Sequence, residues 1–343
     1  MYLDGALWLR SAPITARVSG KNYSSADNTL RLTGNRSDTG CDAIGDFSMV
    51  TLEWRAGVVA FETAFRSYTK IGAVIFEQRF PQGATGTANA GAHASATVFS
   101  AFPAFDFART TTSPSSPTSG GPRAYVQLAG KGVPTNGGGC HMGPWPPNAT
   151  ERTSHRCQGG GALDHEDGSP NELSGGWEGA GAIAIFDATA TKTVVLSPAS
   201  AFTTTQAVHT DDVLSFGPRG SITAVPAGFG SSVIAFVGKK GIGRTLRLWG
   251  LALMRKGGKD PDLWKHDFSL NYLGYTTDNG AYYYYKTEVG KNYEQTILDL
   301  KKYTVQQAVP VRWILYLLHS ITSATVFMRK TKKQIYRKII KIC

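Results

Sequence analysis

Leu273-Gly274-Tyr275-Thr276-Thr277-Asp278-Asn279-Gly280-Ala281-Tyr282-Tyr283-Tyr284-Tyr285 is the stretch on which the fold reading turns. An apolar lead-in ends in Asp-Asn-Gly, the signature of a strand whose tip carries a short polar turn. Residues 291–307 follow with helical spacing. Tyr293, Ile297, Leu300 and Thr304 share one face, while Glu294, Asp299, Lys301 and Lys302 lie elsewhere. Pro310 ends that helix, and residues 311–318 read as a second apolar strand. Strand, loop, helix and strand in this order make one βαβ unit.

Working outward, the preceding chain changes character. Residues 47–54, 58–65 and 73–80 are short apolar runs with partial period-two alternation, in which Glu77 and Arg79 interrupt Phe76, Gln78 and Phe80. Further strands are expected at 124–128, 180–187, 193–197, 213–217, 221–225 and 233–237. Turn residues separate them, which argues for a sandwich. Residues 98–107 contain a Phe-Pro-Ala-Phe turn, 110–121 is a Ser/Thr/Pro loop, and 133–176 is a glycine-rich insertion without period. Residues 244–256 read as a helix with Leu246, Trp249, Leu253 and Met254 on one face. The expected organisation is an irregular segment at 1–44, a β-sandwich at 45–240, a helical linker at 241–271, a partial barrel at 272–318 and a basic tail at 319–343.

The stretch LGYTTDNGAYYYYKTEVGKNYEQTILDLKKY resembles the first barrel strand and helix of the clan of α-galactosidases and raffinose synthases. It is most similar to uncharacterised eukaryotic members with an LGY-x-TDNGAYYYY motif. The resemblance covers about residues 244–310 closely and 58–238 by pattern. It implies a mainly β fold, in which an N-terminal β-supersandwich precedes the first βαβ unit of an incomplete (β/α)₈ barrel. It also implies action on carbohydrate.

Residues at the C-terminal tips of barrel strands face the active site. Asp278 and Asn279 with Tyr282, Tyr283 and Tyr284 are therefore the candidate sugar-binding residues. A carboxylate accepts hydroxyl hydrogen bonds and a ring face covers the C–H face of a sugar. The resemblance assigns this tip to substrate binding, not to bond breaking. The competing reading makes Asp278-Asn279-Gly280 a plain turn and the tyrosines packing.

A retaining glycosidase needs two carboxylates about 5–5.5 Å apart. The resemblance places them on later barrel strands, and the chain has no acidic residue from Leu300 onward. No catalytic residue is assigned, and the chain is expected to be inactive as a truncated form. Two function classes fit: a glycosidase-type protein without its catalytic pair, or a non-catalytic carbohydrate-binding or scaffold β-sandwich.

Composition narrows the rest. The chain has 343 residues, 39 glycines and 18% charged residues, which favours a loop-rich β protein. The net charge of +11 is concentrated at the end: residues 329–341 hold seven Lys or Arg and no acid, and without them 29 basic residues face 25 acidic ones. A nucleic-acid partner is not expected. Residues 313–328 are mostly apolar, but sixteen residues fall short of the roughly 20 needed to span a bilayer, and polar residues dilute them. Membrane association through the basic tail is the lesser reading, and a displaced C-terminal sequence the preferred one.

No cofactor or metal is expected. Cys140, His141, His155 and Cys157 lack the C-x₂₋₄-C spacing of a zinc site, and a loop or a Cys140–Cys157 disulfide explains them better. Gly238 to Gly243 lacks the Gly-Lys-Ser/Thr ending of a phosphate loop, and neither G-x-S-x-G nor H-E-x-x-H occurs. Sequons at Asn22, Asn35 and Asn148 are compatible with a glycoprotein, no signal peptide is visible, and the compartment is not legible.

Overall fold

The computed structural model describes residues 1–91, 94, 97–106, 123–128, 140–145, 177–179, 181–210, 213–271 and 286–308. They divide into two compact units, Met1–Gly258 and Lys259–Cys343.

The first unit is built on a nine-stranded antiparallel sheet. From one edge to the other its strands run Cys140–Trp145, Arg123–Leu128, Ile183–Asp187, Thr193–Pro198, Phe229–Gly238, Ala73–Phe80, Val59–Tyr68, Asp46–Ala56 and Leu30–Cys41. The last four lie next to one another in the chain as hairpins. Phe229–Gly238 is the late arrival that seats against Ala73–Phe80 and Thr193–Pro198, joining the two halves. A five-stranded sheet faces it, ordered Trp177–Gly179, Thr205–Thr210, Val213–Pro218, Ala104–Asp106 and Arg10–Ser11. A three-stranded sheet is formed by Ser100–Ala101, Thr15–Val18 and Lys21–Ser24. This is the mainly β, multi-sheet architecture that the many short strands imply.

Burial explains why the alternation in sequence is only partial. In the centre of the large sheet both faces are covered. Ile183, Ile185, Val194, Leu196, Val233 and Ala235 face the second sheet with Leu9, Phe105, Leu214 and Phe216. The intervening Ala184, Val195, Ile234 and Phe236 face helix α1, Ile242–Lys256, which contributes Leu246, Trp249, Ala252 and Leu253. A strand buried on both sides reads as an unbroken apolar run. Trp54, Phe61, Phe80, Phe99 and Val225 form a third cluster beneath the small sheet.

Gln78 ties the layers together. Its amide donates to the Phe102 carbonyl at 2.8 Å, and its carbonyl accepts from Ser100 Oγ at 2.6 Å. It is fully paired although almost entirely buried.

The structure departs from the expected organisation at several places. Residues 1–44 are not irregular but hold six strands. Most are two to four residues long, and Leu30–Cys41 is too polar to show a hydrophobic period. The helix expected as a linker packs on the large sheet and belongs to the first unit. Only Ala224–Val225 forms a strand within 221–225. The glycine-rich insertion contributes Cys140–Trp145, a strand whose glycine and proline conceal it in sequence.

The second unit, where described, is helical. It contains a 3₁₀ turn at Leu263–His266, α2 at Phe268–Asn271 and α3 at Tyr293–Gln306. Asn271 Nδ2 donates to the carbonyls of Trp264 and Asp267, closing the first two on each other. Residues 272–285 and 309–343, which include both expected barrel strands and the basic tail, lie outside the described residues. Among the described residues no helix is long and apolar enough to cross a membrane.

Candidate functional site

Helix α1 covers only part of the outer face of the large sheet. Past its end the face turns polar, because alternate residues of Asp46–Ala56, Val59–Tyr68 and Ala73–Phe80 are hydrophilic. Register brings them together: Glu53 lies opposite Glu62, Glu62 opposite Arg79, and Glu77 opposite both Ala64 and Ser232. A cleft of about 620 Å³ opens here, lined by Glu62, Glu77, Arg79, Ser200, Ser232 and Lys256 among others. Gly228 and Gly230 form part of its wall and leave it wide by lacking side chains.

Arginines organise the charges. Arg36 on the edge strand reaches Glu53 at 2.8 Å and Glu62 at 3.1 Å. Arg66 bridges Asp42 at 3.0 Å and Glu77 at 3.1 Å, and Arg79 takes the second oxygen of Glu77 at 3.3 Å. The Arg66 guanidinium also sits 4.5 Å from the centre of the Phe47 ring. Ser200 and Ser232 share a hydroxyl hydrogen bond of 2.7 Å at the far side. Among the described residues Lys256 is in no ion pair.

Asp42 anchors the network. Burial works against its charge. Hydrogen bonds from Tyr68, from the Ile44 amide, from Arg66 and from the Gly45 amide outweigh that effect and hold its carboxyl below the usual range. The Tyr68 hydroxyl donates to Asp42 at 2.6 Å, and its acidity is suppressed first by burial and then by that bond. On Arg36 the hydrogen bond to Glu62 is the largest influence and raises its pKa.

Glu62 and Glu77 are diagonal neighbours on adjacent strands, a relation of about 7–8 Å. Two carboxylates this near on one face invite comparison with the acid pair of a glycosidase. Their hydrogen bonds say otherwise. Glu62 is held by Arg36, and Glu77 by Arg66 and Arg79, so both are spent on a structural network. What the cleft offers a ligand is hydroxyl, carboxylate and ammonium groups without an aromatic platform.

Asp278, Asn279, Tyr282, Tyr283 and Tyr284 lie outside the described residues, as do His155 and Cys157. Cys140 and His141 sit on the strand Cys140–Trp145, paired with Leu128 and Gln127. Among the described residues no group of three or more His, Cys, Asp or Glu could hold a metal ion. The cleft residues were visible in sequence only as the polar members Glu62, Glu77 and Arg79 of alternating runs. Their convergence with Lys256, almost two hundred residues away, left no sequence signal.

No protein-family model and no curated protein matches the chain. Solved structures do, at a distance. A GH36 α-galactosidase from Geobacillus stearothermophilus in complex with raffinose is 11% identical with a TM-score of 0.43, covering 87% of this chain and 38% of its own. The α-galactosidase from Lactobacillus brevis is 8% identical with a TM-score of 0.43, covering 89% and 38%. An α-N-acetylgalactosaminidase from Bifidobacterium bifidum in complex with GalNAc is 12% identical with a TM-score of 0.41, covering 91% and 47%. The chain thus spans less than half the length of each of these proteins.

Proposed function

We propose that the chain is a glycoside hydrolase-like protein of the α-galactosidase and raffinose synthase type, acting on carbohydrate. The observation that carries this reading is the LGYTTDNGAYYYY stretch placed after a large two-layer β unit and its closing helix. In this reading Asp278 accepts hydrogen bonds from sugar hydroxyls, Asn279 adds amide bonds, and Tyr282, Tyr283 and Tyr284 supply ring faces.

Binding without hydrolysis by these 343 residues is favoured by one further observation. The cleft carboxylates Glu62 and Glu77 are both engaged by arginine, and no acid follows Asp299 in the sequence. The purified chain is expected to bind a galactoside such as raffinose and to leave aryl galactosides intact. Asp278→Ala should weaken binding by about 10- to 150-fold, since a hydrogen bond to a charged group contributes about 1.5–3 kcal/mol. Equal affinity of both proteins would reduce the motif to a turn. Hydrolysis at the rate of a complete glycosidase would remove the non-catalytic reading.

A further inference from the structure

The strand Leu30–Cys41 is twelve residues long and closes one edge of the large sheet. From Arg31 to Cys41 every residue is exposed except the half-buried Gly34. Its inner edge pairs with Asp46–Ala56 in unbroken register from Gly34 to Cys41. No proline or lysine interrupts it, and its one irregularity lies between Leu32 and Gly34. Edges are usually blunted by such devices along their length.

The phase of the free edge follows from the turn that ends the strand. The Asp42 amide donates to the Gly45 carbonyl. Hydrogen-bonded and non-bonded pairs alternate along an antiparallel ladder. Gly34, Arg36, Asp38 and Gly40 therefore direct their backbone groups inward to Asp46–Ala56. Asn35, Ser37 and Thr39 direct theirs outward.

A second copy can continue the sheet about a two-fold axis only where a residue faces its own equivalent. Three such registers are centred on the middle of the strand. Centring on Arg36 sets arginine against arginine, and centring on Asp38 sets aspartate against aspartate. Centring on Ser37 sets Arg36 against Asp38 twice, once on each side of the axis. Like charges directly opposite destabilise a pair of strands and opposite charges stabilise it. The Ser37 register also places Ser37 on Ser37 and Asn35 on Thr39, so all the outward backbone groups of this region meet. Arg36 and Asp38 fall at a non-bonded position, where side chains approach more closely.

Among the described residues Asp38 has no ion-pair partner. Arg36 is directed inward to Glu53 and Glu62 through its terminal nitrogens, so Asp38 of a second copy meets its charge across the strand pair and displaces no ion pair within the chain. We propose that the edge strand Leu30–Cys41 is a homodimer interface, at which two copies pair antiparallel about Ser37 to form one continuous sheet.

Sedimentation of the full chain tests this. It is expected to run as a dimer, and Ser37→Pro is expected to weaken dimerisation by at least about tenfold. Proline is tolerated where the amide points away from its own sheet, so the variant should keep its circular dichroism spectrum. Asp38→Arg sets four arginines around the axis and should also yield monomer, without touching any ion pair within the chain. A short bis-maleimide should cross-link two copies of Ser37→Cys, because opposed residues have Cα atoms about 5.5 Å apart. Peptide mapping would identify the cross-link between the substituted positions. A monomeric full chain, or an oligomer that persists in folded Ser37→Pro or Asp38→Arg, would overturn the proposal.

Discussion

At the scale of single residues, two positions concentrate what holds the first unit together. A Cβ added at Gly217 would stand 1.8 Å from the Ser100 carbonyl oxygen, which is backbone and cannot swing away. Gly217→Ala should therefore force Val213–Pro218 and Ser100–Ala101 apart and destabilise by about 1–3 kcal/mol or more, read from the denaturation midpoint. Asp42 is the other. Its carboxyl is depressed in the folded state, so its contribution is complete above the unfolded value of about 3.9 and fades as pH falls through the folded one. Asp42→Asn should lower stability at neutral pH, and its deficit should shrink as the pH is brought towards about 3. Denaturation curves at both pH values measure this, and a constant deficit would contradict the sign. Glu77 and Arg79 were legible in sequence as breaks in an apolar pattern. That Glu77 meets Arg66 and that Glu77 and Arg79 share a cleft with Lys256 was not, because pairing register is a property of the assembled sheet.

At the scale of elements, the two long helices show different sources of stability. Helix α1 begins at Gly241, which has φ 92° and gives no side-chain cap. What fixes the helix is the sheet beneath it. Trp249 Nε1 donates to Ser197 Oγ at 2.9 Å, and Thr245 packs so closely on Gly238 that a Cβ there would lie 1.9 Å from its hydroxyl. Helix α3 has a full capping box: the Asn292 side chain accepts from the Gln295 amide, and Gln295 returns the bond. Asn292→Ala should cost α3 about 1 kcal/mol, seen as faster amide exchange in its first turn. Both helices were readable from apolar spacing, to within two residues at each end. The strands at 2–3, 6–7 and 10–11 were not, since two residues carry no period.

At the scale of the whole molecule, the first unit is assembled by distant partners. Arg10–Ser11 pairs with Ala104–Asp106, and Phe229–Gly238 inserts beside Ala73–Phe80 across about 150 residues of chain. The four buried clusters of the described residues all lie within Met1–Gly258. That fragment should fold alone, with a β-type circular dichroism spectrum and one cooperative thermal transition. A fragment ending at about residue 228 lacks the inserted strand and should fail to reach a cooperative state. Loss of cooperativity in the longer fragment would show that Lys259–Cys343 is part of its core.

What the sequence determined by itself was the mainly β class, most of the longer strands and the two long helices. Apolar runs bounded by turn residues dictate short strands, and helical spacing at 244–256 and 291–307 dictates helices, because side-chain period follows directly from backbone geometry. The motif at 273–285 carried the resemblance and named the candidate sugar-binding residues. Tertiary structure decided everything that depends on register and layering: which strands neighbour one another, that helix α1 caps the sheet, and that Glu62, Glu77, Arg79 and Lys256 share a cleft. It also decided that the polar run Leu30–Cys41 is an edge strand. That run shows little burial period because only one of its edges is paired and nearly all its side chains meet water. Local pattern reports what a residue is buried against, and where little is buried the assembled sheet alone specifies the strand.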